Sequence, residues 1–173
     1  MTILRSLKTL AALGSVCFLT SCAGYRLGAD KPEKMAAVHT LAVPVFKNET
    51  LEPRCAVLVT NNVIKQFQMD STYKVTSVGK ADAVLRGTIR NFERRQLRGA
   101  RTNVLKSREL EIRLWVDYQV EDPKTGTTLL KGTANGSTSV FLDPNFQLTE
   151  RQAIDQASQR VAEDILGRVA EGW

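Results

Sequence analysis

Histidine is the scarcest reactive residue in this sequence, because His39 is the only one among 173 residues. A single histidine excludes histidine-rich metal clusters and leaves little to activate a serine or cysteine nucleophile. His39 stands among apolar residues of a strand pattern, which indicates a structural role. Asp82 and Asp117 have no paired carboxylate nearby in the pattern, and no glycine-rich phosphate loop follows a strand. The sequence therefore predicts no enzyme, no metal site and no cofactor.

Long hydrophobic runs are also lacking, apart from one near the N-terminus. Leu10–Thr20 is apolar or small throughout, and Arg5 and Lys8 precede it. A membrane-spanning helix needs about 20 apolar residues, so this run is too short to span. A charged segment followed by a short apolar segment is typical of a secretory signal peptide.

The apolar run ends at Leu19-Thr20-Ser21-Cys22, which resembles a bacterial lipobox. The resemblance implies that residues 1–21 are a signal peptide and that Cys22 carries a thioether-linked diacylglyceryl group and an acylated amino terminus, palmitate being a typical acyl chain. Several acyl chains anchor a protein stably, whereas one binds only marginally. Ala23 follows the cysteine where an aspartate would favour retention in the inner membrane. We therefore expect a lipid-anchored protein on the periplasmic side of the outer membrane.

Cysteine is scarce as well, with three residues in the chain. Cys17 leaves with the signal peptide and Cys22 is capped by lipid, so only Cys55 remains. No intramolecular disulfide is then possible, although the compartment is oxidising. Cys55 falls in a helical pattern, and we interpret it as a small buried hydrophobic residue.

The mature chain divides into a short tether, residues 22–36, and one domain, residues 37–173. Ala37–Phe46 predicts a buried strand in which Pro44 implies an edge position or a bulge. A helix is expected from about Leu51 to Gln68, and a short strand from Tyr73 to Val78.

Alternating patterns predict three longer strands. In the first, Ala83, Leu85, Gly87 and Ile89 face one way, and Arg86, Thr88, Arg90 and Phe92 face the other. Leu110–Val120 alternates strictly, as expected of an antiparallel strand with one buried face. Gly126 permits a positive φ in the turn that follows, and Thr128–Phe141 is the return strand, whose glycines suggest a bulge or a close backbone approach.

The last element is a helix with an apolar stripe, which Thr149-x-x-Gln152 is predicted to open as a capping box. The order is β-α-β-β-β-β-α. A sheet with one apolar face must be covered, and two amphipathic helices would cover it. We therefore expect an α+β fold, with two helices packed on one face of a mostly antiparallel four- to five-stranded sheet.

Positive charge is concentrated between Arg86 and Arg108, where Glu93 is the only acidic residue. Arginine binds phosphate through a planar, bidentate fork. Three interpretations stay open: a solvated hairpin tip, an anion site for phosphate groups, and a docking surface for an acidic wall. Nucleic acid is excluded as a partner because an exported, lipid-anchored chain would rarely meet it. The candidate anion-binding residues are Arg90, Arg94, Arg95, Arg98, Arg101, Lys106 and Arg108.

Three motifs in order resemble the LptE family, the lipopolysaccharide-assembly lipoproteins of the outer membrane. They are Cys22-Ala23-Gly24-Tyr25-Arg26-Leu27, Leu41-Ala42-Val43-Pro44-Val45-Phe46-Lys47-Asn48-Glu49-Thr50 and Ala81-Asp82-Ala83-Val84-Leu85-Arg86-Gly87. The resemblance implies two helices on a four-stranded sheet. It also implies a non-catalytic plug and scaffold in the lumen of a large β-barrel partner, LptD, that contacts lipopolysaccharide; the phosphates would be those of lipid A and the inner core.

A second interpretation remains beside this one. The strand Leu41–Phe46 with Asn48-Glu49-Thr50 is also similar to the start of lipoprotein subunits of secretion systems and of TolB-type domains. The alternative function is therefore a periplasm-facing interaction module of another envelope or secretion machine.

Overall fold

The computed structural model describes residues 31–97, 109–141 and 146–172. The signal peptide, Cys22 and most of the tether lie outside these residues. The helices are α1 (Cys55–Asp70) and α2 (Phe146–Leu166), and α2 ends in a widened π turn at Gly167–Glu171. The strands are β1 (Thr40–Ala42), β2 (Lys47–Asn48), β3 (Lys74–Val75), β4 (Ala83–Leu97), β5 (Glu109–Glu121) and β6 (Thr128–Phe141).

The sheet confirms the predicted α+β class and has six strands within the described residues. Five of them follow the order β3-β1-β4-β5-β6, and β2 pairs with β4. The three long strands are antiparallel, whereas β1 pairs in parallel with both β3 and β4. The parallel β1–β3 pair follows from α1, because parallel neighbours need a crossover connection of this length.

Pro44 divides the strand that was predicted over Ala37–Phe46. Strand β1 ends at Ala42, and pairing resumes only in β2, at Lys47. Proline has no N–H to donate to a ladder, so the strand is interrupted there. The sequence predicted an edge position or a bulge at Pro44, and the structure has an irregularity there: Ala42 and Lys47 are five positions apart, whereas their partners in β4, Val84 and Thr88, are four apart. Strand β1 itself is not at an edge, since it lies between β3 and β4. The predicted strand Tyr73–Val78 is likewise reduced to the two residues of β3.

The core lies between the two helices and one face of the sheet. In β5 the even-numbered residues, from Leu110 to Val120, are buried on the helix side, as the alternation predicted. They meet buried residues of both helices, including Val59 and Phe67 of α1 and Ile154 and Ile165 of α2. The odd-numbered residues of β5 form the outer face, which is the other side of the sheet.

A β-bulge at Arg90 corrects the predicted facing of β4. Ile89 pairs with Val116, but Asn91 already pairs with Trp115, so Arg90 is the extra residue. A bulge shifts the side-chain alternation by one residue. Phe92, which was expected beside Arg86 on the outer face, therefore lies opposite Leu114 and packs against the core.

The helix starts also differ from the prediction. Helix α1 begins at Cys55, after Pro53, and not at Leu51. Helix α2 begins at Phe146, so the predicted capping box is wrong, because Thr149 lies within the helix.

Two glycines behave as the sequence predicted. Gly126 has a φ of 68° in the β5–β6 turn. Gly136 allows α2 to lie directly on β6, because a Cβ at this position would overlap the carbonyl oxygen of Ala157 and approach the backbone nitrogen of Val161. This close approach fixes the distance between the last helix and the sheet.

Candidate functional site

The sequence-predicted anion-binding residues fall into two groups. Arg90, Arg94 and Arg95 lie in β4, which extends to Leu97, so these three belong to a strand and not to a turn. Arg98, Arg101, Lys106 and Arg108 lie outside the described residues. The structure therefore describes three of the seven candidates, and each of the three has different neighbours.

Arg94 faces the helices and joins β4 to the loop before α1 and to the beginning of α2. Its Nη2 donates to Glu52 Oε2 at 2.9 Å, and its Nε lies 2.6 Å from Glu150 Oε1. Both glutamates are buried, with 7% and 8% of their surface exposed. The bulge at Arg90 is the reason that Arg94 faces the helices, because without the bulge Arg94 would face the outer side of the sheet. The guanidinium is thus occupied by two carboxylates.

A second arginine completes this cluster. Arg54 Nε donates to Glu52 Oε1 at 2.7 Å, and this hydrogen bond is the main reason that the pKa of Glu52 lies below its ordinary value. The adjacent Cys55 is fully buried, as predicted, and burial raises the pKa of its thiol to about 12. The cysteine is therefore a packing residue beside a buried charge cluster.

On the outer side of β4, Arg90 is paired with two carboxylates. Its Nη1 donates to Glu49 Oε2 at 2.6 Å, and its Nε donates to Asp117 Oδ2 at 2.8 Å. Thr133 Oγ1 donates to Asp117 Oδ1 at 2.7 Å. The hydrogen bond from Arg90 is the main reason that the pKa of Asp117 is lowered. Arg90 therefore connects the loop after β2 to β4 and β5, and it is exposed.

Arg95 differs from both of these arginines. It is exposed, and the bulge places it on the outer face, opposite Glu111 of β5. Within the described residues, no carboxylate lies within ion-pair distance of its guanidinium. Of the three described candidates, Arg95 is thus the one whose charge is open to a ligand.

The outer face also contains basic residues that were not predicted to bind anions. Arg86, Gln119 and Lys131 are direct neighbours across β4, β5 and β6. They line a shallow open groove together with Thr88, Asp117 and Thr133. Arg86 is paired with Glu121 at 3.0 Å, whereas the described part of the chain offers Lys131 no acidic partner. The alternating pattern of the sequence already indicates that all three side chains lie on one face of the sheet. That they are neighbours depends on how the strands pair, which the pattern does not show.

The Ala81-Asp82 motif has a structural role, because the carboxylate of Asp82 binds the beginning of β1. Its Oδ2 accepts hydrogen bonds from the backbone N–H groups of His39 and Thr40 and from Thr40 Oγ1. These bonds, above all that from the Thr40 hydroxyl, lower the pKa of Asp82. His39 contributes through its backbone at the start of β1. Both residues hold the beginning of the sheet together.

The chain enters the domain at the end opposite to Arg94. Lys31 Nζ lies 4.5 Å from the ring centroid of Tyr73, just past the C-terminal end of α1. Tyr73 Oη donates to the carbonyl of Val169, near the C-terminal end of α2. Arg94 contacts the ends where both helices begin. Lys31 and Arg94 thus lie at opposite ends of the two helices.

Within 31–97, 109–141 and 146–172, no group of three or more metal-ligating side chains is placed to hold a metal ion. Among the same residues, no helix is long and apolar enough to cross a membrane.

Solved structures show that the fold recurs in other proteins, one of them a lipoprotein by its description. A minor lipoprotein from Acinetobacter baumannii matches with a TM-score of 0.53 at 16% identity, covering 76% of this chain and 91% of that one. A single-substitution variant of the PelC dodecamer from Paraburkholderia phytofirmans matches with a TM-score of 0.52 at 13% identity, covering 82% and 94%. The hypothetical protein CT253 from Chlamydia trachomatis gives 0.53 at 12% identity, covering 77% and 96%. At these identities the likeness concerns the fold alone.

Sequence comparison is more specific. No curated protein matches the chain significantly. The family model described as "LptE: Lipopolysaccharide-assembly" matches residues 38–169, which includes both helices and all six strands. The match spans most of the chain and contains the two motifs from β1 to β4 that carried the resemblance. The chain therefore belongs to the LptE family.

Proposed function

We propose that this chain is the lipoprotein subunit of the outer-membrane lipopolysaccharide translocon, where it acts as plug and scaffold of a large β-barrel partner similar to LptD. The observation that carries the proposal is the LptE family match over residues 38–169. The chain works in this proposal by binding and positioning, without catalysis. Its own contribution is a two-layer domain whose outer sheet face has no helix packed on it among residues 31–97, 109–141 and 146–172.

Lipid anchoring at Cys22 is part of the proposal. The lipobox-like Leu19-Thr20-Ser21-Cys22 supports it, together with the charged and apolar segments before it. Nine residues from Cys22 to Lys31 reach at most about 30 Å. The tether would therefore hold the ends of the helices near the outer membrane, with Arg94 and Arg95 at the far end of the domain.

Lipopolysaccharide contact is proposed for the outer face and the arginine-rich segment. Lys131 and Arg95 have no carboxylate partner within the described residues, and Arg86 lies in the same row of the sheet as Lys131. Exposed cations in one row suit the phosphates of lipid A and the inner core. Arg98, Arg101, Lys106 and Arg108 remain candidates from the sequence. Arg90 and Arg94 are engaged with carboxylates, and we assign them a structural role.

Isolation of the tagged, full-length chain from detergent-solubilised outer membrane tests the proposal. We expect one large outer-membrane protein to co-purify, with the altered gel migration of an unheated β-barrel. A homo-oligomeric ring without a barrel would contradict the proposal and would favour an interaction module of another envelope or secretion machine. A Cys22→Ala variant should fold normally but lose palmitate labelling; normal labelling would refute the anchoring site.

A further inference from the structure

A tryptophan lies on the side of the sheet that faces away from both helices. Trp115 is half-buried in β5, and it belongs neither to the hydrophobic core nor to the residues packed against that core. The other outward-facing residues of β5 are polar or charged: Glu109, Glu111, Arg113, Asp117, Gln119 and Glu121. Since the core between helices and sheet does not include the indole, its ring is a flat apolar surface on a polar face.

Two asparagines flank this ring. Asn91 of β4 and Asn135 of β6 are exposed and pair directly with Trp115 across the sheet, and we call these three residues the Trp115 row. Asn91 Nδ2 donates to Glu93 Oε1 at 3.1 Å, and its carbonyl oxygen has no partner among the described residues. The side-chain amide of Asn135 has none either in the described part of the chain; the hydrogen bond from Asn135 to Asp164 comes from the backbone N–H. The Trp115 row thus combines an apolar ring with open amide donors and acceptors.

We propose that the Trp115 row binds a sugar ring of the inner core of lipopolysaccharide, with the sugar stacked on the indole. The inference rests on the proposed function and adds which residues bind the saccharide. One face of a pyranose ring exposes C–H groups, which pack favourably on the electron-rich face of an aromatic ring. The hydroxyl groups of the sugar donate and accept hydrogen bonds, as do the side-chain amides of Asn91 and Asn135.

Open cations on both sides of the Trp115 row favour a saccharide that carries phosphate. Lys131 is a neighbour of Gln119 in the sheet, and Arg95 is a neighbour of Glu111. Gln119 and Glu111 each lie four residues from Trp115, which is about 13 Å along the strand. Acyl chains require a continuous apolar surface, and a neutral glycan does not use the two cations. A phosphorylated inner-core saccharide uses both the ring and the charges.

Titration of the purified, full-length chain in detergent with two glycolipids tests the inference. The glycolipids are lipid A and lipopolysaccharide that contains the inner core. Trp115→Ala should weaken binding of the inner-core glycolipid about tenfold, because the stacking contact is lost, and should change lipid A binding by less than about twofold. Trp115→Phe retains an aromatic ring and should recover part of the affinity. Thermal melts show that each variant is folded.

Asparagine substitutions provide a matched pair that does not disturb the packing of the indole. Asn135→Ala should weaken binding of the inner-core glycolipid in the same direction as Trp115→Ala. Asn61→Ala, at an exposed position of α1, should bind like wild type. Unchanged affinity of both Trp115→Ala and Asn135→Ala would overturn the inference, as would an equal loss of affinity for both glycolipids.

Fluorescence gives a measurement that a purely structural role of Trp115 would not affect. The chain has two tryptophans, so Trp173→Phe leaves Trp115 as the only indole. Inner-core oligosaccharide freed from its lipid should change the emission of Trp115 saturably, and removal of its phosphates should weaken this binding several-fold. Emission that does not respond to the oligosaccharide would overturn the stacking, and equal binding without phosphates would overturn the part assigned to Lys131 and Arg95.

Co-purification of the barrel separates this inference from the proposed function. If the barrel co-purifies with the wild-type chain but the Trp115 and Asn135 variants bind the inner-core glycolipid normally, the saccharide site fails and the proposed function stands. If no barrel co-purifies with the wild-type chain, the proposed function itself fails, and the inference fails with it.

Discussion

Arg94 donates a hydrogen bond of 2.9 Å to Glu52, and this contact ties the arginine-rich part of β4 to the start of α1. The same guanidinium lies 2.6 Å from Glu150 of α2. One strand residue thus holds the loop that leads into α1 and the beginning of α2. A residue that looks like a ligand-binding cation in the sequence is in this way committed to the fold.

Replacement of Arg94 by alanine should destabilise the domain by about 1–3 kcal/mol, because Glu52 loses one of its two arginine partners and Glu150 loses its ion pair. Arg94→Lys should recover only part of the loss, since an ammonium group cannot reproduce the two-sided geometry of guanidinium. Urea unfolding measures the change. The matched control is Arg95→Ala, one residue along the strand, which should stay within about 0.5 kcal/mol of wild type. Equal effects of the two substitutions would contradict the assignment.

Acid should weaken the domain in part through Asp82. Its folded pKa lies below the ordinary value of 3.8, so its contribution to stability is fully present above that pH. The contribution is lost as the pH falls from about 3.8 through the folded pKa. Asp82→Asn does not titrate, so its Tm should lie below that of wild type at pH 7, and the gap should narrow at pH 3. A gap that stays constant between the two pH values would show that Asp82 is not responsible.

Gly136→Ala should disrupt the contact between α2 and β6. The added Cβ would overlap the backbone of Ala157, which cannot move without shifting the helix. We expect a loss of about 1–3 kcal/mol in the free energy of unfolding. Gly79→Ala is the control, because a Cβ there meets nothing within 4 Å. If Gly136→Ala unfolds at the same denaturant concentration as Gly79→Ala, the close helix–sheet approach is absent in solution.

Cys55 should be unreactive toward maleimide in the native domain. Its thiol is buried and its pKa is raised to about 12, so the nucleophilic thiolate is scarce at pH 7. Labelling, read as the mass of the peptide that contains Cys55, should become rapid only in denaturant. Rapid labelling under native conditions would mean that the first turn of α1 opens readily.

Lys131→Glu should weaken the binding of purified lipopolysaccharide to the detergent-solubilised chain, and Arg86→Glu should act in the same direction. The physical reason is that each removes a cation from the outer row and introduces a repelling carboxylate. Lys124→Glu, in the β5–β6 turn, makes the same change of charge outside the row and should bind like wild type. Equal losses at positions 124 and 131 would indicate a general effect of net charge, without a site.

The sequence predicted the parts of this fold that a regular pattern encodes. The alternation from Leu110 to Val120 gave the buried face of β5 correctly, and the glycines of β6 gave the close approach at Gly136. The class of fold followed from the order of the elements. These features depend on local periodicity, which is visible in a single sequence.

The bulge at Arg90 was not predictable in the same way. An extra residue in a strand has no compositional mark, yet it reverses the facing of every residue after it. It turned Phe92 toward the core, against which it packs, and turned Arg94 toward Glu52, which lies 42 residues away. The row of Arg86, Gln119 and Lys131 was missed for a related reason, because it depends on the register of three strands. Charge density alone could not separate arginines that bind carboxylates from those that are open.

The native mass of the tagged chain released from outer membrane in mild detergent shows directly whether the chain works within a barrel. We expect a complex of one copy of this chain with one large β-barrel protein. A mass equal to several copies of this chain, or to the chain alone, would contradict it.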